Sequence, residues 1–352
     1  MALPATENRV REAVANATHK PVAGLPVKRL AGHASMRSYW RVGEGSDAHV
    51  VMVMPPDAKP EEITKGDAPS ELPFVNVQRY LKNLGVRVPE IVAWQEKEGL
   101  MVLEDLGDEM LETRLLAGDA PEGLYERAVD RLADLRARAE RSPNESCIAF
   151  TRKFDYDLYH WELMHFLEWG LEAWKEKKLS EAERKIVDQH FDSIARQLEA
   201  APMGFTHRDY QSRNIMVLPG GEQVVIDFQD ALLGPRQYDL VALLRDSYVV
   251  LDQPFIDRML RRYLDAFHDA GGPKLDFEAF RGFFDLLTVQ RKLKDAGRFV
   301  FIDRVRKNPG FLVSIPASLQ YVSEAFARRP DLNELREVLG RHVPELLAHP
   351  PG

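Results

Sequence analysis

The residues able to do chemistry lie in one short stretch. His207-Arg208-Asp209 is followed, five residues after the aspartate, by Asn214, and the apolar run Val224-Val225-Ile226 then delivers Asp227. Three oxygen ligands around one point suit phosphoryl transfer. An aspartate orients the acceptor hydroxyl and takes its proton, while an amide and a second carboxylate hold magnesium against nucleotide phosphates. The bland alternative makes Asp209 and Asn214 turn formers and Asp227 a strand end. It leaves the coincidence of residue type, spacing and local pattern unexplained.

The spacing H-R-D-x-x-x-x-N matches the catalytic loop of kinases, and Ile226-Asp227-Phe228 stands where protein kinases carry D-F-G. The elements that must position these groups are legible nearby. Ile215 to Leu218 and Gln223 to Phe228 read as strands, with Pro219-Gly220-Gly221 as the turn between them. Such a hairpin brings Asn214 and Asp227 to its open end, with Asp209 just upstream. No activation segment of the A-P-E type follows Asp227, which argues against a protein kinase.

The chain has 352 residues, 45% hydrophobic and 29% charged, so two lobes of ordinary globular composition are expected. A net charge of −8 argues against a nucleic-acid partner and an anionic membrane surface. The single cysteine, Cys147, excludes an intrachain disulfide and a thiolate zinc cluster, and is read as a partly buried thiol. No apolar run approaches a membrane span, and the first residues form a polar helix without a signal-peptide core. The cytoplasm is therefore the expected compartment. A small-molecule substrate is expected, and no protein partner is implied.

Taken in order, the pattern is α+β. Strands are expected over Val27 to Ala31, Ser38 to Val42 and His49 to Met54, then a helix over Phe74 to Leu84 ending at Gly85, and strands over Ile91 to Trp94 and Leu100 to Leu103. The turn with Gly32 is no G-x-G-x-x-G loop. Pro55 to Pro73 reads as an exposed loop. Glu104-Asp105-Leu106-Gly107-Asp108 then marks a hinge whose backbone can pair with an adenine edge. From Leu111 onward the chain reads as helical, including Tyr156 to Lys175, Tyr238 to Val250, Phe277 to Leu293 and a capping box at Ser180 and Glu183. The expected division is a nucleotide-covering N-lobe over 1–103, a hinge over 104–108 and a mainly helical C-lobe over 109–352, with the catalytic hairpin at 204–230. The aromatic helix with Tyr159, Trp161, Phe166, Trp169 and Trp174 is read first as core, with a sugar-pocket lining as the alternative.

The central stretch and the lobe order resemble the aminoglycoside phosphotransferase and choline kinase group, small-molecule kinases with a bilobal protein-kinase-like fold. Further segments resemble the bacterial anomeric amino-sugar kinases of cell-wall recycling, which act on N-acetylmuramate and N-acetylglucosamine. They include Gly32-His33-Ala34-Ser35-Met36-Arg37-Ser38-Tyr39, Leu103-Glu104-Asp105-Leu106-Gly107-Asp108, Glu162 to Trp169, Gly234-Pro235, Tyr238-Asp239-Leu240 and Gln290-Arg291-Lys292-Leu293-Lys294. The resemblance spans about residues 25 to 345. It implies ATP and Mg²⁺ as cofactors, Asp209 as catalytic base, Asn214 and Asp227 as magnesium ligands, and Glu104, Asp105 and Leu106 as the adenine hinge. Asp239 would brace the catalytic loop. Gln211, Arg213, Gln229 and Asp230 flank the catalytic residues and would contact sugar or the transferred phosphate, or else scaffold the loop.

One departure stands out. The third strand of such kinases carries a phosphate-gripping lysine, and here Met54 occupies that place. A methionine cannot neutralise phosphate, so Arg37, Arg41, Lys65 and Arg213 are the candidate replacements, the first two as nucleotide ligands. The anomeric sugar kinases share the lysine-free pattern. Three functions follow as expectations: an anomeric amino-sugar kinase, a phosphotransferase for aminoglycoside, choline or another small alcohol, and a non-catalytic nucleotide-binding regulator.

Overall fold

The computed structural model describes residues 3–21, 24–30, 37–54 and 71–350. The Gly32 turn, Lys65 and most of the Pro55 to Pro73 stretch lie outside the described residues. The chain divides into two compact units, one comprising Met1–Glu109 with Met216–Ile226, the other Met110–Ile215 with Asp227–Gly352.

The first unit begins with helix α1 (Leu3–Thr18), then strands β1 (Val27–Arg29), β2 (Ser38–Val42) and β3 (His49–Val53), helix α2 (Pro73–Asn83), and strands β4 (Ile91–Gln95) and β5 (Leu100–Glu104). The strands form one antiparallel sheet in the order β1-β2-β3-β5-β4. Period-two alternation gives the sheet two faces. Trp40, Val51 and Val102 stand opposite one another across three strands and pack with Val10, Ala13 and Val14 of α1. The N-terminal helix is thus not merely polar, because one stripe of it closes this core. Met52 and Met101 fill the other face, and alternation sets Met54 on that same side. Helix α2 stops where expected: Gly85, at φ 75°, lets its own N–H reach Lys82 O and that of Val86 reach Leu81 O.

Helices α3 (Leu111–Leu116), α4 (Pro121–Arg141), α5 (Tyr156–His165) and α6 (Glu181–Glu199) open the second unit. After α5 the chain continues as a π-helix over Phe166–Ala173, so the single α-helix expected to Lys175 is divided. Strands β6 (Met203–Thr206), β7 (Ile215–Val217), β8 (Gln223–Val225) and β9 (Leu232–Pro235) follow, then α7 (Tyr238–Leu244), α8 (Gln253–Asp269), α9 (Phe277–Arg306), α10 (Ile315–Ala327) and α11 (Asn333–His342). β6 pairs antiparallel with β9, from Met203 opposite Pro235 to Thr206 opposite Leu232.

The β7–β8 hairpin forms as expected, closed by Leu218 N–H to Glu222 O and by glycines 220 and 221 at positive φ. Its residues Met216–Ile226 group with the first unit, although the sequence suggested the helical lobe. Backbone bonds from Val217 N–H to Glu109 O and from Val225 N–H to Arg87 O account for this. Helix α7 ends at Leu244, short of Val250, because the Asp246 carboxylate takes the Tyr248 N–H and offers the backbone an alternative to helix. Helix α9 instead runs on to Arg306. Cys147 is buried rather than half-exposed.

Candidate active site

β6 delivers His207 into the interior, and two successive backbone donors are then captured by one side chain. Asp239, in the first turn of α7, accepts His207 N–H at 2.7 Å and Arg208 N–H at 2.9 Å. Burial pushes the Asp239 carboxyl above the usual carboxylate range, opposed by His207 and by these two donors. The grip holds Arg208 at φ 79°, a conformation that non-glycine residues rarely adopt. Asp227 is the second such residue at the site, at φ 66°, two residues past the end of β8 at Val225, where the sequence predicts a strand as far as Phe228. Positive φ at two non-glycine positions of one site is a mark of imposed geometry.

Beyond Asp209 the loop is closed locally. Asn214 Nδ2 donates to Asp209 O at 2.8 Å, and Gln211 N–H reaches the same carbonyl at 2.9 Å. One amide hydrogen of Asn214 is spent there, and its Oδ1 accepts no hydrogen bond among the described residues. Ser212 donates both its N–H and its hydroxyl to Asp246, whose carboxyl burial pushes up and the Ser212 bonds draw back. Tyr210 is anchored through its hydroxyl to Ala128 O. Pairing of β7 with β8 sets Asn214 and Asp227 at the same end of the hairpin.

The flanking residues divide. Gln229 joins Asp227 and Asp230, its Nε2 donating to Asp227 Oδ1 at 2.8 Å and to Asp230 Oδ2 at 3.1 Å. Arg152 holds this turn by donating to the carbonyls of Gln229 and Ala231. Gln211 Nε2 lies 3.4 Å from Asp209 Oδ1. Arg213 is committed elsewhere: both Glu112 oxygens accept from its Nε at 2.9 Å, and its guanidinium lies 3.4 Å from the Tyr248 ring centre. Of the aromatic helix, Tyr159 and Phe166 belong to the core, whereas Trp161 is exposed.

In the first unit, the charged side chains of 104–108 are engaged by arginines. Glu104 is bridged by Arg87, which holds its carboxyl below the ordinary glutamate value against the effect of burial. Arg41 donates to both Asp105 and Asp108, and those two carboxylates raise its own pKa further. Its charge is therefore already balanced. Gly107 N–H is taken by Asp105 Oδ1 at 2.9 Å, while Leu106 N–H makes no hydrogen bond among the described residues. Arg37 lies one residue before β2.

Two side chains given no role in the sequence reading reach the loop. Arg291 of α9 touches both Arg208 and Asp209, and Glu162 of α5 accepts from Gln290 at 2.7 Å with Arg208 at 4.0 Å. Their signal was polar residues placed where a helix is buried all round: Gln290, Arg291 and Lys292 interrupt the apolar middle of α9.

The description "Phosphotransferase enzyme family" fits a family model matched over residues 26–277. An N-acetylmuramate/N-acetylglucosamine kinase of Pseudomonas aeruginosa is 34% identical over 310 residues, covering 87% of this chain and 85% of that protein. Among solved structures, choline kinase LicA from Streptococcus pneumoniae aligns with a TM-score of 0.60 at 14% identity, covering 91% of this chain and 99% of the other. The ADP-bound aminoglycoside phosphotransferase APH(2'')-Ib aligns with a TM-score of 0.54 at 15% identity, covering 90% and 98%. These two share the protein-kinase-like fold with this chain. A family match over residues 26–277 and a relative 34% identical across most of the length lead to one conclusion: the chain belongs to the phosphotransferase enzyme family.

Proposed function

We propose that the protein transfers the γ-phosphoryl group of ATP to the anomeric hydroxyl of an amino sugar, N-acetylmuramate and/or N-acetylglucosamine, giving the sugar 1-phosphate and ADP. The observation that carries this reading is the loop itself. Asp209 keeps a carboxylate 38% exposed while Asp239 and Asp246 hold its neighbours and Asn214 donates to its own carbonyl. The choice of acceptor rests on the similarity to the Pseudomonas aeruginosa kinase.

Asp209 accepts the proton of the anomeric hydroxyl. The sugar oxygen forms its bond to the γ-phosphorus as the bond to the β–γ bridging oxygen breaks, and ADP leaves without a covalent enzyme intermediate. Among the described residues no cluster of three His, Cys, Asp or Glu side chains can hold a metal. An amide oxygen from Asn214 and a carboxylate from Asp227 fit magnesium instead, which takes one or two protein ligands and completes its shell with phosphate and water. Bound there, the ion would supply charge neutralisation on the phosphates.

For the nucleotide, the Leu106 N–H and the backbone of Glu104 would read the adenine edge, since the acidic side chains of 104–108 are occupied by Arg87 and Arg41. Arg41 would then shape that stretch rather than grip phosphate, and Arg213 would brace the loop through Glu112. Gln211, Gln229 and Asp230 remain the proposed sugar contacts. Cytoplasmic ATP and sugars released from the cell wall suit this reaction.

Phosphorus NMR of the protein with Mg-ATP and, separately, N-acetylmuramate, N-acetylglucosamine and kanamycin tests the reading. A new resonance split by the anomeric proton is expected with at least one of the two sugars. Phosphorylated kanamycin with silent sugars would move the acceptor to the antibiotic branch.

A further inference from the structure

Helix α9 brings a buried cation to the carboxylate proposed as the base. Arg291 is 1% exposed, yet its Nη1 donates to Arg208 O at 3.0 Å and its Nη2 lies 3.4 Å from Asp209 Oδ1. The guanidinium is fixed from several sides. It lies 4.7 Å from the Tyr238 ring centre, next to the Asp239 that holds the loop backbone. Gln290 is bonded to Glu162 and Lys292 to Ser247, each at 2.7 Å, so the helix cannot turn without breaking buried polar contacts.

The two oxygens of Asp209 differ. Oδ1 faces both Arg291 Nη2 and Gln211 Nε2 at 3.4 Å, the long end of hydrogen-bond distance. Oδ2 takes no hydrogen bond among the described residues. One tethered oxygen and one open oxygen give a base a defined rotamer and a lone pair aimed outward. A purely structural arginine explains the contact with Arg208 O. It does not explain a second nitrogen directed at a half-exposed carboxylate, where water would serve as well.

We propose that Arg291 is a positioning residue of the transfer, holding Asp209 Oδ1, together with Gln211, so that Oδ2 meets the acceptor hydroxyl. The proposal rests on the reading of Asp209 as the base. Because a positively charged, geometrically fixed partner outlasts each turnover, the carboxylate returns to the same orientation after releasing its proton.

The test is a mutant cycle of Arg291→Met, Asp209→Asn and the double variant, with Arg291→Lys as the conservative control. Turnover is measured with sugar and also as sugar-free Mg-ATP hydrolysis, alongside nucleotide titration and thermal denaturation. Arg291→Met is expected to lower kcat roughly 10²-fold, within the range that a positioned base contributes. Sugar KM and nucleotide affinity should move less than about threefold, the scale of a weak surface contact. Millimolar guanidinium should restore part of kcat, and Arg291→Lys should fall between wild type and Arg291→Met. In the Asp209→Asn background, Arg291→Met should add no further loss.

Equal fractional losses in both backgrounds, or a kcat that falls only with nucleotide affinity and is not rescued by guanidinium, would overturn the proposal. If Arg291→Met does not fold, Arg291→Lys in the same two backgrounds decides. Failure of the wild type to phosphorylate either sugar would strike the acceptor assignment alone, because the hydrolysis cycle still reports on Arg291.

Discussion

The candidate catalytic loop at 207–214 and the stretch at 104–108 are both short, charged and glycine- or turn-containing, yet their side chains are used in opposite ways. In the loop, distant residues satisfy the backbone and leave the Asp209 carboxylate accessible: Asp239 holds two N–H groups and Asp246 a third. In 104–108, distant arginines consume the carboxylates themselves and leave backbone groups such as Leu106 N–H. The contrast shows that a functional motif is defined by which groups remain after structural pairing. Asp209 keeps one oxygen open even though Arg291 and Gln211 face the other, whereas Asp105 gives both of its oxygens to Arg41.

Three substitutions would break or sharpen this contrast. The largest effect should come from Asp209→Asn, which keeps the shape of the loop and removes the proposed base. Turnover should fall about 10²–10⁴-fold, while nucleotide titration stays within twofold of wild type. Unchanged turnover would end the assignment.

Asp239→Ala is the intermediate case. It strands two buried N–H donors, so unfolding in urea should show a loss of about 2–6 kcal/mol, at 1–3 kcal/mol for each unsatisfied group. Turnover should fall with it, because Arg208 would no longer be held at positive φ. A stable, fully active variant would mean that the loop is braced by other contacts.

Glu104→Gln should have the smallest effect. The Glu104 side chain faces Arg87, so nucleotide affinity should be nearly unchanged and stability should drop by about 1 kcal/mol. Its folded pKa lies below the ordinary 4.5, so the carboxylate stabilises the fold above that pH and the contribution is lost as the pH falls below it. The stability difference between wild type and Glu104→Gln should therefore narrow on acidification. A large loss of nucleotide affinity at neutral pH would show that the side chain, not the backbone, reads the base.

Much of the fold was legible. The strands of the first unit, helix α2 with its glycine stop, and the β7–β8 hairpin all follow from local periodicity and turn chemistry. The capping box at Ser180 and Glu183 is present as read. What escaped was set from outside each segment. β9 is a four-residue strand through Gly234 and Pro235, stabilised by pairing with β6. Helix α9 continues past Leu293 because Ala296, Phe299 and Val300 are buried by neighbours. The π-helix after α5 is packed so closely by α9 that a side-chain carbon on Gly297 would lie 2.9 Å from His165 O. No pattern within residues 166–173 announces that contact.

The amino-acid sequence alone determined the chemistry, because H-R-D-x-x-x-x-N and the hairpin to Asp227 depend on residue type, short spacing and local turns. Only the tertiary structure decided which charges are available to that chemistry. Arg41 meets Asp105 across 64 residues, Arg213 meets Glu112 across 101 and Arg291 meets Asp209 across 82. Electrostatic pairing falls with distance in space, not along the chain, so a cation that looks uncommitted in sequence can be fully engaged in the fold.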